Sequence, residues 1–131
     1  TLGPEMFARD FVSCFLEYNA LNIEENMAKA LRFLSQELRV AWRRDFGTAF
    51  IERAKQENVM QTTSIVSIEV TTLERRQFRA SIFAIRRRTS ATKPELEERR
   101  VRYDMSVFAT NPTQENPWGF YVVSLNETAA E

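Results

Sequence analysis

Few side chains in this 131-residue sequence are of types that could do chemistry. It contains no histidine, so a serine–histidine triad, an imidazole metal ligand and a histidine pH switch are all excluded. The adjacent Tyr103 and Asp104 offer a phenolic donor and a carboxylate base, the groups that a proton-transfer site needs. Adjacency itself argues against the pair. Neighbouring residues on a strand point to opposite faces, so if Tyr103 joins Val101 and Met105 in a core, Asp104 faces solvent beside Arg102. Glu69, between Ile68 and Val70, reads as solvent-facing for the same reason. Cys14 is the only cysteine, so it has no internal disulfide partner. It sits among aromatic residues at helical spacing, where packing is its expected role. No glycine-rich phosphate loop, paired-cysteine metal pattern or acidic calcium loop is present. Asn126-Glu127-Thr128 is a glycosylation sequon that carries meaning only in a eukaryotic secretory setting.

Charge narrows the partners. Eighteen basic and eighteen acidic residues cancel, and a pI near 6.3 removes the broad cationic field of a protein whose main partner is nucleic acid. The distribution is uneven: Arg75 to Arg102 holds ten basic residues against three acidic ones, whereas Tyr103 to Glu131 holds four acids and no base. Arg86, Arg87, Arg88, Arg99, Arg100 and Arg102 flank one predicted hairpin and form a candidate basic surface. Glu95, Glu97 and Glu98 lie in that same hairpin. Cross-strand pairs of opposite charge, each worth roughly 0.2 to 1 kcal/mol, account for such clusters on a solvated sheet, so direct nucleic-acid binding is not expected.

These groups must be positioned by helices in the first half and strands in the second. The chain is 44% hydrophobic, with ten Phe, two Trp, three Tyr and only three Gly, which suits one folded domain over residues 1–131. Phe7, Phe11, Cys14, Phe15 and Tyr18 mark one face of a helix predicted from Pro4 to about Asn19. Asn22 and Glu25 have the spacing of a capping box, so a second helix should begin near Ile23. Ser35 should cap a third to about Asn58, with Leu38, Trp42, Phe46, Ala49 and Phe50 along one face and a possible break at Gly47. After Asn58 the period drops to two. Four strands are predicted: Met60 to Leu73, Phe78 to Arg88, Glu97 to Thr110 and Trp118 to Leu125. Alternation assigns to the core Val66, Ile68 and Val70 on the first, Phe78, Ala80, Ile82 and Ala84 on the second, and Val101, Tyr103, Met105 and Val107 on the third. Three helices followed by a four-stranded antiparallel meander make an α+β chain with helices on one face of a curved sheet, an outline that resembles the NTF2-like cone. No run of about 18 apolar residues is present.

The most specific stretch is Asn116-Pro117-Trp118-Gly119, leading into Phe120-Tyr121-Val122-Val123. It resembles the Asn-Pro-x-Gly motif before the last strand of the VirB-eight family of type IV secretion proteins, with its TrbF-like and TraE-like conjugation relatives. The motif's position and the helices ahead of the sheet extend the resemblance to nearly the whole chain, and the passage Phe50 to Val70 also resembles the TraE-like members. Read from the residues alone, Pro117 holds Asn116 extended and Gly119 permits a positive φ, which makes a rigid turn. The resemblance implies more: a loop presenting Trp118 and its neighbours to a partner or second subunit. It also implies a bacterial inner-membrane protein with its anchor upstream of Thr1 and this domain in the periplasm. Such a domain would scaffold the secretion complex by self-association and by binding other subunits, with no cofactor, metal or chemical step expected. Two alternatives stand beside it, a small-molecule-binding or isomerase-like enzyme built on the same cone, and a module contacting single-stranded DNA.

Overall fold

The change of hydrophobic period near Asn58 is where the chain passes from helices into sheet. The computed structural model describes residues 2–130. In chain order the elements are α1 (Leu2–Phe15), β1 (Tyr18–Asn19), α2 (Ile23–Leu31), α3 (Gln36–Asp45), α4 (Gly47–Gln56), β2 (Met60–Thr72), β3 (Gln77–Thr89), β4 (Glu97–Ala109) and β5 (Phe120–Ala129). The strands form one antiparallel sheet in the order β1-β2-β3-β4-β5. The α+β, NTF2-like architecture is present, but with four helices and five strands among the described residues where three and four were expected.

Each extra element has a local cause. The expected third helix divides at Gly47, whose φ of +56° lies in the left-handed region that a right-handed helix cannot accommodate. Phe46 therefore ends α3, donating its N–H to the Trp42 carbonyl at 2.8 Å, and its own carbonyl accepts from Phe50 in α4. α1 stops at Phe15, short of the expected Asn19, because the side chains of Asn19 and Asn22 build a turn. Asn19 Oδ1 accepts from the N–H groups of Leu21 and Asn22, and Asn22 Oδ1 accepts from the Asn19 N–H at 2.8 Å. Asn22 is thereby turned away from α2, which starts without a side-chain cap, so the expected capping box with Glu25 is not formed. Ser35 does cap α3, its Oγ accepting from the Leu38 N–H at 3.2 Å.

The core joins the inner face of α1 to the inner face of the sheet. Phe7, Phe11, Val12 and Cys14 are buried, as are Phe78, Ala80, Ile82 and Ala84 of β3 and Val101, Tyr103, Met105 and Val107 of β4. Both strands follow the predicted alternation. β2 does not, because the ladder pairs Ile65 with Ala84 and then Ser67 with Phe83, skipping Val66 in a β-bulge. Val66 is consequently 67% exposed rather than in the core, and the inward set becomes Gln61, Thr63, Ile65, Ile68 and Val70. A second bulge on β5 skips Val123 between Val122 and Ser124.

Two of the inward β2 residues are polar because a helix ends above them. Gln61 Nε2 and Thr63 Oγ1 both donate to the Leu16 carbonyl at 2.9 Å, satisfying an acceptor that the end of α1 leaves without a helical partner. At the opposite end of the sheet the β2–β3 hairpin closes with Leu73 N–H on the Gln77 carbonyl, and Arg75 and Arg76 adopt φ values of +59° and +61°. Such backbone costs a non-glycine residue roughly 1–2 kcal/mol.

α3 buries none of its residues fully, so its aromatic face is only partly a core face. Trp42 and Phe50 are half-buried, while Phe46 and Ala49 are exposed. Phe11→Ala should therefore cost about 3–5 kcal/mol, whereas Trp42→Ala should cost about half as much, measured by chemical denaturation. Equal losses at the two positions would mean that α3 is anchored more deeply than its exposure shows.

Candidate functional site

The loop between β4 and β5 is organised around one buried amide. Asn116 is 1% exposed and uses its side chain in full. Its Nδ2 donates to the Phe120 carbonyl at 2.7 Å and reaches the Arg32 carbonyl at 3.5 Å, while Oδ1 accepts from the Gly119 N–H at 3.1 Å. Its backbone closes a turn with Thr113, donating to Thr113 Oγ1 and accepting from the Thr113 N–H, both at 3.0 Å. One side chain thus ties the loop to β5 and to the end of α2. Gly119 is needed twice over. Its φ is +70°, and a Cβ there would lie 2.6 Å from the Thr110 carbonyl oxygen, the end of the loop at which Thr110 N–H donates to the Gly119 carbonyl.

Trp118, expected from the resemblance to be presented by this loop, is partly exposed and partly docked. Its ring is half-buried, edge-on to Phe7 at 6.1 Å and stacked with Phe120 at 6.1 Å. Its indole N–H donates to Asp10 Oδ2 at 3.2 Å. The indole fastens the loop to α1, and the exposed part of the motif is Pro117, with residues 111–115 beside it.

A concavity lies between the α3–α4 joint and the inner face of the sheet. It encloses about 500 Å³, walled by Phe15, Trp42, Phe46 and Phe50, with Tyr103, Arg86 and Glu127 among its lining. Trp42, Phe46 and Phe50 pack mutually with ring centroids 5.9–6.2 Å apart. The Tyr103 hydroxyl is buried and makes no hydrogen bond among the described residues. Burial, reinforced by the nearby Glu127 carboxylate, pushes its pKa far above the ordinary phenol range, so it is a donor and not a base. Glu127 is engaged by Arg86 in an ion pair. Parity was the available signal for that pair, since Arg86 follows Ala84 on the inward side of β3, but sequence reasoning had assigned Arg86 to a solvated surface.

No family model and no curated protein sequence matches the chain. Solved structures do. A TrwG component of a type IV secretion system from Bartonella birtlesii superposes with a TM-score of 0.80 at 13% identity, covering 100% of this chain and 93% of that one. The VirB8 (VirB-eight) protein of Agrobacterium tumefaciens gives 0.78 at 11% identity, covering 99% and 92%. The periplasmic domain of DotI gives 0.70 at 15%, covering 95% and 92%. The fold is that of the VirB8-like domains. At these identities the correspondence lies in backbone geometry.

Within the VirB8-like fold the two residues considered for proton transfer are kept apart. Tyr103 points inward, whereas Asp104 lies on the other face, accepting from Ser81 Oγ at 2.7 Å and from Arg102 Nε at 2.9 Å. Glu69 is exposed, as expected. Cys14 is buried, and burial raises its thiol pKa, which suits packing and not nucleophilic attack.

The six arginines do not form one patch. Register places Arg86, Arg88 and Arg99 on the helix side of the VirB8-like sheet, and Arg87, Arg100 and Arg102 on the outer side. Four are already engaged: Arg86 with Glu127, Arg87 with Glu98 at 3.6 Å, Arg99 with Glu97 at 3.2 Å and Arg102 with Asp104.

Gly119→Ala should destabilise by about 3 kcal/mol or more, combining a left-handed φ with a backbone clash. Gly47→Ala, which meets nothing within 4 Å, should cost only the φ penalty of roughly 1–2 kcal/mol. Denaturation midpoints of the two variants make the comparison, and equal losses would remove the close approach of Thr110 from the explanation. Titration with labelled single-stranded DNA at physiological salt should show no submicromolar binding, because four of the six arginines are neutralised locally. Tight binding that falls steeply with salt and disappears in R86Q/R87Q/R88Q would reverse this reading.

Proposed function

We propose that this chain is a scaffold subunit of a bacterial type IV secretion machine of the kind that transfers DNA by conjugation. In this reading residues 1–131 are one NTF2-like domain in the periplasm, held by an inner-membrane anchor upstream, and the domain acts through self-association and contacts with other subunits of the inner-membrane complex. The observation that carries the proposal is the extent of the structural match, over at least 92% of the TrwG, VirB8 and DotI chains and at least 95% of this one.

Two surfaces suit contact. At the α3–α4 joint Phe46 is 52% exposed, above the half-buried Trp42 and Phe50. An apolar group of this kind on a helix face suits the centre of an interface, where an aromatic side chain contributes about 2 kcal/mol or more. The Asn116-Pro117-Trp118-Gly119 motif supports the second. Asn116, Trp118 and Gly119 fix the shape of the loop from inside, and Pro117 with residues 111–115 forms its outer face.

The test uses the full-length protein in a transfer-competent bacterium. Phe46→Ser and Pro117→Ser, both on exposed side chains, should leave the melting temperature of the domain nearly unchanged while lowering transfer and shifting sedimentation toward smaller species. Normal transfer and unchanged sedimentation in both variants would defeat the scaffold reading of these surfaces. The gene should also encode an apolar span of about 20 residues before Thr1.

A further inference from the structure

The β2–β3 hairpin carries Glu74-Arg75-Arg76 at its tip, with both arginines in left-handed backbone. Glycine and asparagine are the ordinary occupants of such positions, so this hairpin keeps two guanidinium groups at its tip against local backbone preference. Both are exposed, and neither joins an ion pair among the described residues.

Their place in the fold is specific. The Arg76 carbonyl accepts from the Ala109 N–H at 2.7 Å, and the next residue, Thr110, is bonded to Gly119, so the tip and the Asn116 loop share one end of the sheet. α1 enters at that same end: Phe7 lies 5.2 Å from Phe120, which lies 5.3 Å from Phe78 at the start of β3. The other end of α1 sits over Gln61 and Thr63, at the start of β2. The helix axis therefore runs from the hairpin tip toward the far end, and the N-terminal end of α1 lies at the arginine end of the sheet. Arg32 and Arg79 are exposed at this end too, against the carboxylates Glu74 and Glu115, with Glu5 taken up by Arg9. Met6 at 48% exposure and Phe108 at 37% add apolar groups alongside.

We propose that this end of the domain faces the membrane and that Arg75 and Arg76 bind phosphate groups of anionic phospholipids, an inference that rests on the anchored reading above. Guanidinium matches phosphate through paired N–H donors, and chain entering the bilayer just ahead of α1 would hold the tip within reach of headgroups, making the contact effectively intramolecular. Met6 and Phe108 would sit at the level where partly apolar groups are tolerated.

The experiment is co-sedimentation of the 131-residue chain with vesicles of phosphatidylglycerol and phosphatidylcholine in equal parts, and with phosphatidylcholine alone. Salt-sensitive binding is expected only to the anionic vesicles, with about 5-fold lost per arginine removed and so about 25-fold for the pair. The informative variant is R75N/R76G, which installs the residues the turn prefers: its melting temperature should rise while vesicle binding falls. R88Q/R100Q, at the opposite end of the sheet, should bind as the unmodified chain does. Undiminished binding by R75N/R76G overturns the proposal, as does equal loss in R88Q/R100Q. Displacement by inorganic phosphate or by a single-stranded oligonucleotide overturns it too, by assigning the tip to free phosphate or to nucleic acid. Failure of the anchored reading would look different: no apolar span upstream of Thr1, with vesicle binding intact.

Discussion

The burial of one aromatic helix face against the inner side of the sheet is the constraint on which the remaining structure depends. Phe7 and Phe11 are fully buried there, at about 1.5–3 kcal/mol of hydrophobic stabilisation each. Fixing α1 over the sheet strands its last carbonyls in the interior, and Gln61 and Thr63 answer with two donors on the Leu16 oxygen. It also places Phe7 and Asp10 where Trp118 can reach them, so the β4–β5 loop takes its position from the helix and not only from the strands it joins.

Much of this was legible in the sequence, and the failures have a pattern. β3 and β4 alternate without interruption, so parity alone gave their inward residues and set Tyr103 apart from Asp104. The same rule failed on β2, because a run of β-branched and hydroxyl residues looks alike in either frame and nothing local marks the bulge at Val66. The division at Gly47 was visible only as an option, since about 1 kcal/mol of propensity does not decide between a tolerated glycine and a break. Asn22 has the spacing of a cap, yet its side chain is taken by Asn19, a competition that spacing does not reveal. The docking of Trp118 was illegible in principle: Asp10 lies 108 residues away. At the candidate site, sequence reasoning identified Asn116, Pro117 and Gly119 as turn-formers and missed that the amide of Asn116 is the centre of the loop.

Two buried polar side chains are treated in opposite ways. Asn116 has each of its side-chain polar atoms occupied, which makes it a structural joint. The Tyr103 hydroxyl lies at the base of the aromatic concavity beside Glu127 and Arg86, with no hydrogen bond of normal geometry among the described residues. The arginines show a similar division. Those of the β3–β4 hairpin are mostly absorbed by neighbouring carboxylates, while Arg75 and Arg76 at the other end of the sheet are not.

The bulges have a bearing on how this fold can vary. Without Val66, the inward residues of β2 would be Gln61, Thr63 and Ile65 followed directly, in strict alternation, by the present Ile68 and Val70. The same side chains would still face the helices. Val66 therefore contributes no member to the core; it contributes shape, adding backbone to one margin of the sheet as Val123 does to the other, while β3 and β4 between them run unbroken. Hydrophobic pattern and curvature are encoded separately in this chain. A descendant could change the depth of its concavity by gaining or losing single residues at the margins, with every buried side chain kept.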